Sequence, residues 1–127
     1  MSPDIESVFI ILMQFHVNLK LFHFQTKSYA AHKASDELYN TMADLIDTFL
    51  EVWQGKLGRR LSPVHGNIKV ESINSTTSMI QETKLFIIYL KSAMRKKCKL
   101  TRNTDLCNIL DELTAALAKF VYLLSFN

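Results

Sequence analysis

Apolar side chains recur every three or four residues through most of this chain, which is the period of a helix that buries one face. Four stretches carry the pattern, over residues 5–24, 30–57, 74–97 and 105–124. The inward positions of the first stretch are Val8, Leu12, Phe15, Leu19 and Phe22. Those of the second stretch are Leu38, Met42, Leu45, Phe49 and Val52. Only two prolines and three glycines occur among the 127 residues, so little interrupts a helix. The pattern therefore predicts an all-α protein with four helices.

The links between the predicted helices differ in length. Short turns at residues 25–29 and 100–104 join the first helix to the second and the third to the fourth, as in two antiparallel hairpins. The middle connection, residues 59–73, has a proline, a glycine and no helical period. Fully extended, about 15 residues reach about 50 Å, which is enough to travel the length of a bundle. We therefore predict one domain, residues 1–127, with a ferritin-like four-helix bundle fold and a long crossover in its middle. The alternative is an up-down bundle with a loose middle loop.

Composition narrows the class of protein. Apolar residues make up 48% of the chain and charged residues 21%, which is typical of a folded domain. A net charge of +3 is too small to indicate nucleic-acid binding by itself. No uninterrupted apolar run of about 18 residues is present, so we expect no membrane span. The opening residues, MSPDIES, lack the basic segment of a signal peptide, and we expect a cytoplasmic protein.

The two cysteines, Cys98 and Cys107, stand on either side of the second short turn. Two cysteines alone make neither a disulfide framework nor a zinc-binding pattern. Free cysteines behave as small hydrophobic residues in protein cores. We therefore expect two separate buried thiols in a reducing compartment.

Ligand-type side chains of the second predicted helix form a stripe that is separate from its core positions. His32, Asp36, Asp47 and Glu51 follow one another at steps of 4, 11 and 4 residues, each close to a whole number of helical turns. Asp47 and Glu51 are like charges one turn apart, and a cation bound between them relieves their repulsion. Imidazole and carboxylate groups suit a divalent ion such as Fe(II). The stripe predicts a metal site, and the alternative is a solvated polar face.

The two halves of this stripe lie too far apart to hold one ion within one chain. Asp36 and Asp47 are separated by roughly 16 Å along a helix. Two copies of the second helix, packed antiparallel about a two-fold axis, bring the carboxylates of one half against the His32 half of the other chain. The sequence therefore predicts a homodimer, or a larger homo-oligomer built from it, with metal sites in the interface.

Residues 15–58 resemble a known family. The pair His23–Phe24, the stretch YAAHKASDELY and the stretch DLIDTFLE are similar to the signature of Dps-type miniferritins, the small ferritin-like proteins named for DNA protection during starvation. The stretches QTKSYAAHK and E-x-x-QGK-x-G resemble the shorter Dps-like proteins of phages and large DNA viruses. The interval from His23 to His32 is shorter than in the cellular members.

This resemblance implies what the site holds. In the family, two histidines and an aspartate of one subunit face an aspartate and a glutamate of its two-fold mate. The positions that match are His23, His32 and Asp36 on one side and Asp47 and Glu51 on the other. The resemblance implies a di-iron site between subunits, which zinc or manganese also suits. It further implies Fe(II) oxidation that protects nucleic acid from iron and peroxide, in the host cytoplasm or in the virion if the chain is viral.

A second class of function fits the same helices. The chain could be a structural protein that packs a nucleoid or virion, with the same fold and an idle or lost metal site. Direct DNA contact is weakly supported, because phosphate binding needs several clustered cations and the chain lacks a lysine-rich terminal tail. Saturable iron binding distinguishes the two classes.

Overall fold

The computed structural model describes residues 4–126, which form four helices packed side by side. The helices are α1 (Ile5–Gln25), α2 (Tyr29–Leu57), α3 (Thr76–Tyr89, continued by the π-helical Leu90–Arg95 and by Lys96–Leu100) and α4 (Thr104–Leu124). No strand occurs within 4–126. The prediction of an all-helical chain with four helices is confirmed.

Local capping residues explain where several helices begin and end. The Asp4 carboxylate accepts a hydrogen bond of 2.7 Å from the backbone N–H of Ser7. Ser28 and Ser75 cap α2 and α3 in the same way, each accepting from an N–H three residues later. Gly58 ends α2 with φ of 69°, a left-handed conformation that costs glycine little. These short-range signals fix the helix boundaries close to the predicted ones.

Buried apolar side chains from all four helices form one core. The inward positions of α1 that are buried as predicted are Val8, Leu12, Leu19 and Phe22. On α2, Ile46 and Leu50 are buried, whereas Leu45 and Val52, which the pattern predicts inward, are only partly buried. The difference arises because α2 packs against both α1 and α4, and therefore buries a face wider than one stripe.

Ion pairs near both ends of α2 show that it runs antiparallel to α4. Lys56, in the last turns of α2, lies 2.9 Å from Asp105 in the first turn of α4. Near the other end, Lys119 Nζ lies 2.7 Å from Glu37 Oε1. The four side chains are exposed, so these ion pairs add little stability. Their positions nevertheless show the relative direction of the two helices.

The connection between α2 and α3 follows α1 from one end to the other. Arg59 Nη1 donates a hydrogen bond of 2.9 Å to Glu6 Oε2 in the first turn of α1. Farther along, the backbone N–H of Lys69 donates to Gln14 Oε1, and Asn18 Nδ2 donates to the Lys69 carbonyl. The chain thereby returns along the bundle before α3 begins, so α3 runs parallel to α2.

The second short turn holds a covalent cross-link. Cys98, near the end of α3, and Cys107, in the first turns of α4, form a disulfide with Cα atoms 5.8 Å apart. The expectation of two separate thiols is therefore wrong. A turn of three residues, 101–103, places positions nine apart in sequence directly opposite each other, and this distance suits a disulfide.

The π-helical segment keeps α3 in register with the core. Leu90, Met94 and Cys98 follow one another at intervals of four residues, and all three are buried. In a regular α-helix, residues eight apart differ by about 80° in direction. The wider turn of the π-helix removes much of this angle, and so α3 presents Cys98 to α4.

By length and composition alone, α1 is apolar enough to cross a membrane, and it is the one such helix within 4–126. Its most buried side chains, including Val8 and Leu19, lie in the shared core of the four helices. A core helix of this kind meets the same criterion. Of its apolar window, 33% is buried inside the protein, and Ile11 and Val17 are exposed.

Candidate metal centre

The α1–α2 turn brings two of the predicted ligands into contact. His23 lies in the last turn of α1 and His32 in the first turn of α2, separated by a turn of three residues, 26–28. Their imidazole rings stack, with centroids 3.9 Å apart and an interplanar angle of 19°. A pair of imidazoles is therefore present within one chain.

Each of these histidines is held by the backbone of the other. His23 Nδ1 lies 2.9 Å from the carbonyl oxygen of His32, and His32 Nδ1 lies 2.9 Å from that of His23. Because a carbonyl oxygen only accepts, both Nδ1 atoms carry a hydrogen and donate it. In the neutral ring each Nε2 then keeps its lone pair. This is the tautomer in which a metal-binding histidine is commonly held.

A buried serine completes this arrangement. Ser35 is fully buried one turn after His32, and its hydroxyl donates a hydrogen bond of 3.0 Å to the His32 carbonyl. The same Oγ lies 3.2 Å from His23 Nδ1 and accepts a share of its hydrogen. The His23 ring is therefore fixed by two acceptors, as ligands are often fixed by groups behind them.

The histidine pair lies at the boundary between core and solvent. His23 is 7% exposed and contacts Phe24 edge-on, with ring centroids 5.3 Å apart. His32 is half-buried, and the exposed ring of Tyr29 stacks over it at 6.3 Å. A ligand would reach the pair from the surface that carries His32 and Tyr29.

The three predicted carboxylates are not part of this contact within one chain. Asp36 lies one turn after His32, and Asp47 and Glu51 lie farther along α2; all three are exposed. Within 4–126, no three His, Cys, Asp or Glu side chains come close enough to hold an ion together. The single chain thus supplies an imidazole pair and a row of exposed carboxylates on the same helix.

His16, two turns before His23 on α1, is packed against α2. Its Nε2 lies 2.9 Å from the Tyr39 carbonyl and donates to it, and its ring stacks on that of Tyr39 with centroids 3.8 Å apart. Burial lowers the pKa of His16 below its ordinary value, more than the hydrogen bond to the Tyr39 carbonyl raises it. Lys20 adds a further lowering. A neutral, donating Nε2 leaves His16 no role as a ligand through that atom.

Two features of the site have no counterpart in the sequence pattern. The Ser35 contacts escape a search for ligand residues because serine is a weak metal ligand and acts here through hydrogen bonds. The signal that points to it is its place three residues after His32 on the inner side of α2. The mutual carbonyl bonds depend on how the 26–28 turn closes, which spacing alone does not specify.

Residues 23–124 match the model of a family described as Family of unknown function (DUF5856). The chain belongs to this family. The matched range begins at His23 and contains His32, Ser35 and the disulfide. The DUF5856 match therefore includes both hairpin turns and all five predicted ligands.

One relative comes from a bacteriophage. Over 41 residues the chain is 51% identical to the "Uncharacterized 14.6 kDa protein in mobD-ri intergenic region" of Enterobacteria phage T4. The match covers 32% of this chain and 32% of the phage protein, so the chain spans about a third of that relative's length. No solved structure matches the chain significantly.

Proposed function

We propose that this DUF5856 protein is a Dps-like miniferritin that binds Fe(II) and oxidises it in an interface between two copies of the chain. The observation that carries the proposal is the His23–His32 pair. Both rings donate Nδ1–H to a backbone carbonyl, and both therefore keep an Nε2 lone pair for a metal ion. His16, by contrast, donates its Nε2–H to a carbonyl and keeps no Nε2 lone pair.

The remaining ligands come from a second chain in this proposal. Asp36 follows His32 by one turn, whereas Asp47 and Glu51 lie roughly 16 Å and 22 Å beyond Asp36 along α2. Antiparallel packing of two α2 helices about a two-fold axis brings Asp47 and Glu51 of one chain to the histidine pair of the other. The exposure of all three carboxylates in the single chain is consistent with this use.

The donor set fits iron. Two neutral imidazoles supply affinity for Fe(II), and three carboxylates balance the charge that increases on oxidation. Zinc and manganese suit the same ligands, so metal availability decides which ion occupies the site.

Iron is the substrate of the proposed reaction, and peroxide is the class of oxidant. Two Fe(II) ions each give one electron to one molecule of hydrogen peroxide. The peroxide takes up two protons and leaves as two molecules of water. Removing Fe(II) and peroxide together prevents their reaction with nucleic acid, which gives the protein a protective function in the host cytoplasm or virion.

The path of the chain supports the ferritin-like assignment. In that fold, two short hairpins are joined by one long connection that travels the length of the bundle. The segment after Arg59 follows α1 in this manner, held by Gln14 and Asn18. The phage T4 relative makes a viral setting a reasonable part of the proposal.

Removal of single charges tests the ferroxidase reaction. Glu51→Gln and Asp47→Asn keep the shape of each side chain, and we expect either change to abolish Fe(II)-dependent peroxide consumption. Glu82→Gln removes an exposed charge from α3, which packs against α4, and should behave as the wild type. An unchanged rate in Glu51→Gln at full helicity would end the ferroxidase proposal and favour a structural protein with an idle site.

A mixing experiment tests whether the ligands come from two chains. His32→Asn removes an imidazole from one half of the proposed site, and Glu51→Gln removes a carboxylate from the other half. Each variant alone should therefore be inactive. Random mixing makes half of the dimers heterodimers with one intact site each, which predicts about a quarter of wild-type activity. If one chain supplied every ligand, mixing would restore nothing. Light scattering should show a dimer or larger assembly at micromolar concentration.

A further inference from the structure

A small cavity opens beside the disulfide at the other end of the bundle. It has a volume of about 120 Å³, and the residues that matter here are Trp53, Lys97, Cys98, Thr101 and Asn103. Among these lining residues, Lys97 and Thr101 are exposed, whereas Cys98 is 6% exposed. Solvent-sized molecules can therefore reach a cysteine that is otherwise buried.

The two cysteines of the disulfide differ in their position relative to the cavity. Cys98 is among the lining residues and Cys107 is not, although the two residues are equally buried. A small oxidant or thiol entering the cavity meets Cys98 first. Cys107 instead lies in the first turns of α4, where the helix dipole stabilises a negative charge.

The charges around this pair favour thiolate chemistry. Lys97 lines the same cavity as Cys98, and a nearby ammonium group stabilises a thiolate. Arg95, one turn before Cys98, is paired with Asp111 at 2.6 Å. Lys97 lines the cavity together with Cys98, whereas Arg95 is not among the lining residues.

The fold does not depend on the disulfide alone to hold α3 against α4. Leu90, Met94, Leu106 and Leu110 are buried in the core near this turn, and an Arg95–Asp111 ion pair also joins the two helices. The bond can therefore open and close while the bundle stays folded.

We propose that Cys98 and Cys107 form a reversible thiol–disulfide pair that reacts with peroxide through this cavity, Cys98 being the attacking residue and Cys107 the resolving one. The Cys98 thiolate attacks one peroxide oxygen and breaks the O–O bond. This step leaves a sulfenic acid on Cys98 and releases hydroxide, which a proton converts to water.

The second step closes the bond. The Cys107 thiolate attacks the Cys98 sulfur, the S–S bond forms, and the sulfenic oxygen leaves with a proton as hydroxide and then water. In total, two thiols and one hydrogen peroxide give one disulfide and two waters. Two external thiols reduce the pair again. The first attacks Cys98 and forms a mixed disulfide, with the Cys107 thiolate at the helix N-terminus as the favoured leaving group; the second attacks the external sulfur and releases the Cys98 thiolate with an external disulfide.

Trp53 provides a direct readout, because it is the chain's one tryptophan and lines the same cavity. A disulfide near an indole ring quenches its fluorescence. The reduced full-length protein, with a strong metal chelator present, is mixed with one equivalent of hydrogen peroxide. We expect Trp53 fluorescence to fall as both thiols disappear and an intramolecular disulfide forms. Unreacted thiols, or a disulfide between chains, would overturn the proposal.

Two serine variants assign the roles. Cys107→Ser should accumulate a Cys98 sulfenic acid that dimedone labels, whereas Cys98→Ser should stay unlabelled. Equal labelling, or labelling of Cys98→Ser alone, would contradict the assignment. Far-UV circular dichroism confirms that each variant is folded.

A matched pair of lysine variants tests the electrostatic role. Lys97→Gln should slow the reaction with peroxide several-fold, because the thiolate loses its cation. Lys99→Gln removes a neighbouring exposed charge that does not line the cavity, and should leave the rate unchanged. Equal rates in the two variants would refute a role for Lys97. Because a chelator is present throughout, a failure here is distinguishable from a failure of iron oxidation.

Discussion

At one end of the bundle the α1–α2 turn holds His23 against His32, and at the other the α3–α4 turn holds Cys98 against Cys107. Each pair is nine residues apart, and each turn has three residues between its helices. In both cases a residue near the end of one helix faces a residue near the start of the next. One pair is joined by stacking and hydrogen bonds, the other by a covalent bond.

In each pair, the turn and the types of the two residues make separate contributions. The short turn brings two side chains together whatever their type. The residue type then decides what the pair responds to: imidazoles respond to protons and metal ions, and thiols respond to oxidants. If this view is right, each pair can be changed without affecting the chemistry of the other.

The strongest test of this independence is His32→Asn. Asparagine keeps a donor near the position of Nδ1 and removes Nε2, so the turn is preserved and a ligand is lost. We expect Fe(II) affinity, measured by anaerobic calorimetry, to fall more than about 100-fold, since losing even a supporting residue costs about 10–100-fold. The double variant Cys98→Ser, Cys107→Ser should bind Fe(II) as the wild type does. Weak binding in both would mean that the two ends are coupled.

The covalent pair should contribute more to stability than the hydrogen-bonded one. A cross-link that closes a loop this short stabilises the folded state by about 2–3 kcal/mol in the chain-entropy model. The double serine variant should therefore unfold at a lower urea concentration than the oxidised wild type. Under reducing conditions the two proteins should differ much less. Identical urea curves without reductant would contradict the prediction.

Ser35→Ala tests the support behind the histidine pair. The change removes the hydrogen bond to the His32 carbonyl and the contact with His23 Nδ1. A typical hydrogen bond contributes about 1 kcal/mol, and the better helix propensity of alanine offsets part of the loss. We expect the urea-derived free energy of unfolding to fall by about 0.5 kcal/mol. Fe(II) affinity should also decline, up to about tenfold.

The smallest expected effect concerns pH and His16. Burial lowers the pKa of His16 in the folded protein, so below its ordinary value of 6.5 the unfolded chain binds more protons than the folded one. Its contribution to stability is therefore present at pH 7.5 and declines as the pH falls to 5.5. His16→Gln should reduce this pH dependence of the urea midpoint. The other three histidines are the same in both proteins, so their contributions cancel in the comparison.

The helices could be predicted from the sequence because their signals are local. The 3.6-residue period, Ser28 before α2 and Gly58 after it act within a few residues of the chain. α3 ends at Leu100, beyond the predicted end at residue 97. This difference follows from the π-helical segment, which a periodic pattern of apolar residues does not predict. The burial of Ile46 in place of Leu45 depends on neighbouring helices and is likewise non-local.

Residue spacing in the sequence predicts only part of each candidate site. The spacing places His23 and His32 on either side of one turn, but the tautomer that leaves each Nε2 its lone pair comes from carbonyl oxygens. Cys98 and Cys107 have the same spacing, and yet composition favours separate thiols for them. The spacing of nine across a three-residue turn is the signal that predicts contact in both pairs.

The connection that follows α1 has a consequence for the order of folding. Its hydrogen bonds to α1 join residues 51–56 positions apart, whereas the His23–His32 contacts close a loop of only nine. Short loops close sooner and at lower entropic cost than long ones. We therefore expect α1 and α2 to form a hairpin first. The connection between α2 and α3 then packs against the surface of this hairpin. Pulse-labelling hydrogen exchange should protect the amides of α1 and α2 before Lys69 and Glu71, whose N–H groups donate to α1 only once that surface exists.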